Sequence, residues 1–229
     1  MQCVFLAAGR GSRMKELTET MPKPMLPVAG KPLLQHKLEA LPQEIDEVIM
    51  VVGYFGHVVQ QHFGGEFEGK RILYVEQENP VGGTADALKK AELLLKDRFL
   101  VMNGDNLYGT KDMAACAQYA WAVGVQEREH VATGRVVVDD EMYVTDIAEN
   151  SAHGGEKGYA NTALYSLDMR IFEYALAPKA PGANELGLPQ TMLQALPRIK
   201  IKAVPVKFWF EIKIPEDLAR AGEILANRA

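Results

Sequence analysis

The chain has 229 residues, 48% hydrophobic and 24% charged, with a formal net charge of −5. That is enough for one α/β domain or two small ones with a substantial core, and the acidic balance argues against a general affinity for nucleic acid while leaving a local basic site open. Cys3 and Cys116 give neither a disulfide framework nor a metal spacing, no signal-type leader opens the chain, and no window approaches the ~18 apolar residues of a membrane span, so the expectation is a cytoplasmic protein.

The first element, "QCVFLAA" (2–8), is a continuous apolar run ending at glycine, as expected of a strand buried on both faces. Next comes "LAAGRGSRMKELTETMPKPMLPVAGKP" (6–32), far longer than a strand–helix connector needs and rich in glycine, proline and basic side chains. "KPLLQHKLEAL" reads as a helix with Pro32 near its first turn. "EVIMVVG" (47–53), "RILYV" (71–75) and "RFLVMNGD" (98–105) repeat the buried-strand pattern. Between the last two, "TADALKKAELLLK" places Leu88, Ala91 and Leu95 at helical spacing, with Thr84 as the expected N-cap and Asp86 in the first turn. Strands alternating with helices predict a mainly parallel sheet with crossover helices.

From about residue 120, "AWAVGVQ", "GRVVVDD", "YVTDIAE" and "YANTALYSL" follow in quick succession as strand-like runs. "IKIKAVPV", "FWFEI" and a closing helix opened by Pro215, Glu216 and Asp217 complete the chain. "APKAPGANELG" (177–187) is the loosest stretch and is expected to be a surface loop. The predicted fold is α/β and Rossmann-like: a mainly parallel central sheet flanked by helices, with additional strands in the second half. No repeat or clear linker interrupts it, so 1–229 reads as a single domain.

Ligands of such sheets bind outside the carboxyl ends of the strands. That crevice would gather residues 9–31, 77–84, 103–106 and 149–161 with the end of "FWFEI". Gly9 and Gly11 begin a dinucleotide-type spacing, but Met14 stands where a third glycine belongs, and no Gly-Lys-Ser/Thr completes a P-loop. The glycines allow positive φ and close backbone approach, so that amides face an anion, with Arg13 and Lys23 adding fixed charge. The bland alternative is a solvated basic loop; Lys15 and Lys31 read as surface lysines. Asp105 is either a turn aspartate or a metal ligand, and Gln77 either a loop-exit residue or a base contact offering a donor and an acceptor together.

Four ordered segments carry a resemblance. "LAAGRGSRM…PKPMLPVAGKPLLQH", "YVEQENPVGGTADAL", "NGDN" and "FWFEIKIPEDLARA" resemble the signature segments of sugar-1-phosphate nucleotidyltransferases, at family-like spacing over nearly the whole chain. The resemblance implies attack of a sugar phosphate oxygen on the α-phosphorus of a nucleoside triphosphate with release of pyrophosphate, dependent on Mg2+. It implies Arg13, Lys23 and Asp105 as catalytic residues and Leu6, Ala8, Gly9, Gly11, Gln77, Gly83 and Thr84 as nucleotide contacts. Gln77, with Gly82 and Gly83 giving close approach to the ring, leans towards UTP or dTTP.

"TGRVVVDDEMYVTDIAE…YANTALY" is similar to the sugar-binding half of uridylyltransferase domains that make UDP-N-acetylglucosamine, implying Gly134, Glu149 and Asn161 as acceptor contacts. Asp105 and Glu211 are the implied metal carboxylates, although the family pattern has aspartate at 211 and Gly-Thr where Lys213 and Ile214 stand. The spacing of "AENSAHGGEKGY" leaves the phosphate role of Lys157 open. His153 reads as a loop histidine; Trp121, Phe208, Trp209 and Phe210 read as packing residues. The resemblance divides the domain into a nucleotide-binding half (about 1–118) and an acceptor-binding half with closing helix (about 119–229), with no appended acyltransferase β-helix expected. The partners implied are a triphosphate and a sugar 1-phosphate, with neither nucleic acid nor membrane; oligomeric state is not legible. The alternatives are a cytidylyltransferase acting on a small phosphorylated alcohol such as phosphocholine, a non-catalytic nucleotide-sensing homologue and, more remotely, a dinucleotide-dependent dehydrogenase.

Overall fold

The structure is a computed structural model and describes residues 1–79, 81–149 and 155–227. In chain order it opens with β1 (Gln2–Leu6), the small hairpin β2 (Pro27–Val28) and β3 (Lys31–Pro32), and α1 (Leu33–Glu39). Then come β4 (Glu47–Val52), α2 (Gly56–Phe63), β5 (Glu66–Phe67), β6 (Lys70–Glu76), α3 (Gly83–Lys90) and β7 (Arg98–Asn103). β8 (Asn106–Tyr108), α4 (Thr110–Ala117) and β9 (Ala122–Arg128) lead into β10 (Arg135–Val138), β11 (Val144–Ala148) and β12 (Gly158–Asp168). The last elements are α5 (Leu188–Leu193), β13 (Lys202–Pro205), β14 (Trp209–Glu211) and α6 (Glu216–Ala226).

The four apolar runs of the first half form the parallel heart of a ten-stranded sheet, in the order β7-β1-β4-β6. Their continuous hydrophobicity has the cause the sequence suggested: both faces are covered. Val4, Ile49, Val51, Phe99 and Val101 face one core with Leu88, Ala91 and Leu95 from and just after α3. Cys3, Phe5, Val48, Met50 and Leu100 face the other with Leu34 and Leu38 from α1.

The second half adds antiparallel strands. β12 runs antiparallel to β7 from Leu164↔Met102 to Asp168↔Arg98. Its register is irregular between Asn161 and Tyr165, where Ala163 takes φ 57. β9 stays beside it throughout, but before that bulge the strand leaves β7 and pairs with β10 on its other side. A bulge bends its strand, and here it carries β10 and β11 to one side of the parallel strands' ends, leaving space in front of them.

One expectation needs correction. Thr84 is not the N-cap: α3 begins at Gly83, and the Thr84 hydroxyl accepts the Leu188 N–H at 2.9 Å. Residues 177–187 form the largely exposed surface loop expected, but they are tied down. Their ends are bridged by Pro178↔Leu186, and Leu186 exchanges backbone hydrogen bonds with Gly82 (3.0 Å) and Ala85 (3.0 Å). The strap is thereby tied to the start of α3.

β14 leaves the main sheet and pairs with β8, setting Glu211 opposite Asn106. Its approach is fixed by Asp112, buried in α4, whose carboxylate accepts the N–H groups of Lys207 and Phe208 at 2.9 Å each. Asp112→Ala strips the acceptor from both groups. The two N–H groups are partly buried, so water can replace part of what is lost, and the variant is expected to lose about 1–2 kcal/mol in urea unfolding, with a lower midpoint and an unchanged slope. A midpoint within error of wild type would contradict the anchoring.

Candidate active site

The first loop is built around one glycine. Gly11 has φ +68, and a Cβ there would stand 2.8 Å from the Cβ of Lys23. The missing side chain lets the Lys23 stem lie buried under the loop, with its ammonium 2.7 Å from Asp105 Oδ2. Gly9 needs no positive φ and faces open space, so only one of the two glycines is conformationally required. Beyond Gly11 the chain winds through a 3-10 stretch, Ser12–Thr18, that leaves Arg13 exposed. Arg13 has no carboxylate partner among the described residues.

Asp105 sits in a turn after β7. Gly104 donates to the Leu6 carbonyl at 2.8 Å, and the Asp105 carbonyl accepts the Ile212 N–H at 3.2 Å, binding the turn to β1 and to the end of β14. Beneath it lies a residue the sequence reading missed. Lys37 of α1 is 2% exposed, donates to the Asn103 carbonyl, and lies 4.6 Å from the ring centre of Phe5 and 5.7 Å from that of Tyr108. Burial pulls its ammonium down to about 8, against the opposing pull of the Asp105 charge. Helical spacing carried the signal, since Lys37 follows Leu33 by four and Leu34 by three on the buried face.

A cavity of about 700 Å³ opens over this floor, bordered by Leu6, Gly9, Gly11, Arg13, Lys23, Gln77, Gly83, Thr84, Asp105 and Glu211. Ala8 is not among its walls: it is buried, and its carbonyl accepts the Tyr54 N–H at 3.1 Å. Gln77 is fixed in one orientation, because Nε2 donates to both Gly83 O (3.0 Å) and Asp86 Oδ2 (2.8 Å). Its donor is spent, and only Oε1 is left to offer a ligand. The room at Gly83 (φ +84) is likewise taken by the chain itself, since a Cβ there would strike the Leu186 carbonyl.

A second cavity of about 630 Å³ adjoins the first and shares Arg13, Thr84, Asn103, Glu211 and Lys213 with it. Its walls bring together Gly134, Glu149 and Asn161 from three separate strands or strand ends. The Asn161 N–H donates to Gly134 O at 2.7 Å, Asn161 Nδ2 donates to the Tyr165 hydroxyl at 2.9 Å, and Gln190 of α5 donates to Glu149 Oε1 at 3.3 Å. Lys157 points elsewhere, 3.2 Å from Glu127 and 3.8 Å from Glu129. Trp121 and Phe208 pack in the interior, but Trp209 and Phe210 line the cavity, with Arg128 and Arg220 5.1 and 5.8 Å from their ring centres. His153 lies outside the described residues.

The family pattern described as "Nucleotidyl transferase" matches residues 2–209. The chain belongs to the nucleotidyl transferase family. It is 30% identical over 230 residues to the bifunctional protein GlmU of Methanocaldococcus jannaschii, covering all of this chain and 55% of that protein. The chain thus spans about half the length of the GlmU relatives it matches. It is also 30% identical to the UTP–glucose-1-phosphate uridylyltransferase AglF of Haloferax volcanii, covering 98% of this chain and 96% of that one. HddC of Yersinia pseudotuberculosis, solved in complex with GMP-PN, superposes with a TM-score of 0.74 at 26% identity over 98% of this chain and 99% of that one.

For a nucleotidyl transferase the two carboxylates deserve a test against magnesium. Magnesium is held by one or two carboxylates completed by substrate phosphates and water. Asp105 and Glu211 are all-oxygen donors bordering the same cavity, joined across the β8–β14 ribbon, so their chemistry fits. Each is held by an ammonium: Lys23 at 2.7 Å on Asp105 and Lys213 at 2.8 Å on Glu211. Among the described residues no group of three or more histidine, cysteine or acidic side chains could cage a metal without substrate oxygens.

The buried lysine has a pH signature. Between about pH 8 and its unperturbed value of 10.5 the unfolded chain keeps a proton on Lys37 that the folded chain has released. Stability rises with pH wherever the unfolded state binds more protons. Around Lys37, burial pushes Cys3 up to about 12 and Tyr108 well above 10, which takes both of these neighbours out of that range. Wild type is therefore expected to gain stability relative to Lys37→Met from pH 8 to pH 10. A constant difference in unfolding midpoint across that range would refute it.

Proposed function

We propose that the chain transfers a nucleoside monophosphate from a triphosphate to a sugar 1-phosphate, releasing pyrophosphate. The observation that carries this is the Lys23–Asp105 pair beneath the Gly11 loop, at a floor where two cavities meet. Two anionic substrates must approach one another, so the site needs fixed cations and oriented dipoles where charge gathers on the phosphates. Arg13, common to both cavities and without a carboxylate partner among the described residues, would bind the triphosphate, with Lys23 at the reacting phosphate. Asp105 and Glu211 would hold magnesium, which when bound neutralises phosphate charge and orients the oxygens. Residues 1–118 would form the nucleotide half and 119–229 the acceptor half, with Gly134, Glu149 and Asn161 turned to the sugar. No helix among the described residues is long and apolar enough to cross a membrane, and the reading goes with a cytoplasmic enzyme.

The base follows from Gln77. Against an oxygen acceptor, uracil and thymine can present N3–H and guanine N1–H, whereas adenine and cytosine can present only an exocyclic amine. UTP or dTTP is the donor we expect, in line with AglF; the GMP-PN complex of HddC marks guanine as the rival. One good hydrogen bond gives about tenfold discrimination, the equivalent of about 1.4 kcal/mol. Initial rates of pyrophosphate release at equal, subsaturating triphosphate check this, and ATP as the best substrate would sink the assignment. Phosphocholine is a poor fit as acceptor because Arg128 and Arg220 already cover the aromatic side chains that a quaternary ammonium would use.

The two carboxylates should differ. Asp105→Asn is expected to lose nearly all turnover. Glu211→Ala should raise the magnesium concentration for half-maximal rate and lower the maximum, while Glu211→Asp retains measurable activity. Magnesium titrations of each variant read this directly. A Glu211→Ala curve that overlays wild type would remove that residue from the site.

A further inference from the structure

Among the described residues the buried charged groups are Lys23, Lys37, Asp112 and Asp217. Lys23 pairs with Asp105, while Asp112 and Asp217 each accept two backbone N–H groups. Among the described residues Lys37 has no carboxylate partner and one hydrogen bond, to the Asn103 carbonyl, and its remaining surroundings include the rings of Phe5 and Tyr108. An unpaired ammonium in such a place is costly. Its neighbours on the same helix face are Leu33, Leu34 and Leu38, all fully buried, and an apolar side chain would continue that face at no such cost.

The carbonyl it holds identifies what the charge is for. Asn103 is the last residue of β7, two before Asp105. Pairing of β12 with β7 ends at Met102, because the bulge at Ala163 has already turned β12 away. On that side Asn103 lies past its strand neighbour, where no ladder fixes the turn, and the Lys37 ammonium reaches it from the buried face. The other ties on the turn are Gly104 to Leu6, Ile212 to the Asp105 carbonyl, and Lys23 to the carboxylate itself.

We propose that Lys37 is a positioning residue for nucleotidyl transfer: by gripping the Asn103 carbonyl it fixes the turn that presents Asp105 to the metal and the phosphates. The inference rests on the reading of Asp105 as a metal ligand. It also gives Lys37 a role that a packing residue lacks, because its removal should separate stability from activity.

The test compares wild type, Lys37→Met and Lys37→Gln, the second retaining an N–H donor without the charge. Three quantities are read at pH 7: melting temperature, kcat and KM for triphosphate, and manganese affinity by electron paramagnetic resonance in the presence of a non-hydrolysable triphosphate. Lys37→Met is expected to melt at or above wild type, to lose about tenfold or more in kcat with a smaller change in KM, and to bind manganese about tenfold more weakly. Lys37→Gln should recover part of both losses. A folded Lys37→Met with wild-type kcat and manganese affinity overturns the proposal, as does a Gln variant no better than Met. If neither variant folds, or activity falls only in step with the folded fraction, Lys37 is a residue of the fold and the proposal fails. A wild type that binds manganese but turns over no triphosphate sinks the transferase reading and leaves the manganese comparison to decide on Lys37. One that binds none overturns both.

Discussion

A 2.7 Å ion pair between Lys23 and Asp105 joins the loop after the first strand to the turn after the fourth parallel strand. Much of the site is arranged so that this pair can exist. Gly11 must lack a side chain for the lysine to pass beneath it; Gly104 must approach Leu6 closely for the turn to form; Lys37 must hold the turn from below. The pair sets a carboxylate and a cation side by side at the carboxyl ends of the strands, where the crevice of such a sheet lies. That is the electrostatic requirement for bringing two anions together.

The sheet supplies the second requirement, two adjoining spaces with a common floor. Parallel strands alone make one crevice. The bulge in β12 and the departure of β14 to pair with β8 build the second wall, and Asp112 pins the entry to β14 through the N–H groups of Lys207 and Phe208. The strap at 177–187 closes the side near α3 by hydrogen bonding to Gly82 and Ala85. Several of these devices are polar contacts made at single points, where one lost partner is costly, so the walls of the second cavity are sensitive to small substitutions.

Internal satisfaction of polar groups narrows the chemistry. Gln77 gives its donor to Gly83 and Asp86, Asn161 gives its side-chain N–H to Tyr165, and Glu211 holds Lys213. Among the described residues the Gln77 oxygen stays open towards the cavity, and Arg13 has no carboxylate partner.

Sequence alone pointed to the parallel core, because short continuous apolar runs at 2–8, 47–53, 71–75 and 98–105 alternate with helical patterns, and to the family, because four motifs stand in order. It also marked Arg13, Lys23, Asp105 and Gln77. It misjudged Thr84 and did not show that the 177–187 loop is tied to α3, since their partners, Leu188 and Gly82, lie about a hundred residues away and leave no local trace. It passed over Lys37 although the helical period already put that lysine on a buried face, because a lone lysine has a reason to be buried only once Asn103 is seen above it. It counted Trp209 and Phe210 as packing residues, which they are, and only the β8–β14 ribbon also sets them in the wall of the second cavity. Local pattern specifies which face of an element is covered; what a buried donor meets there is decided by chain brought from far away, which only the tertiary structure supplies.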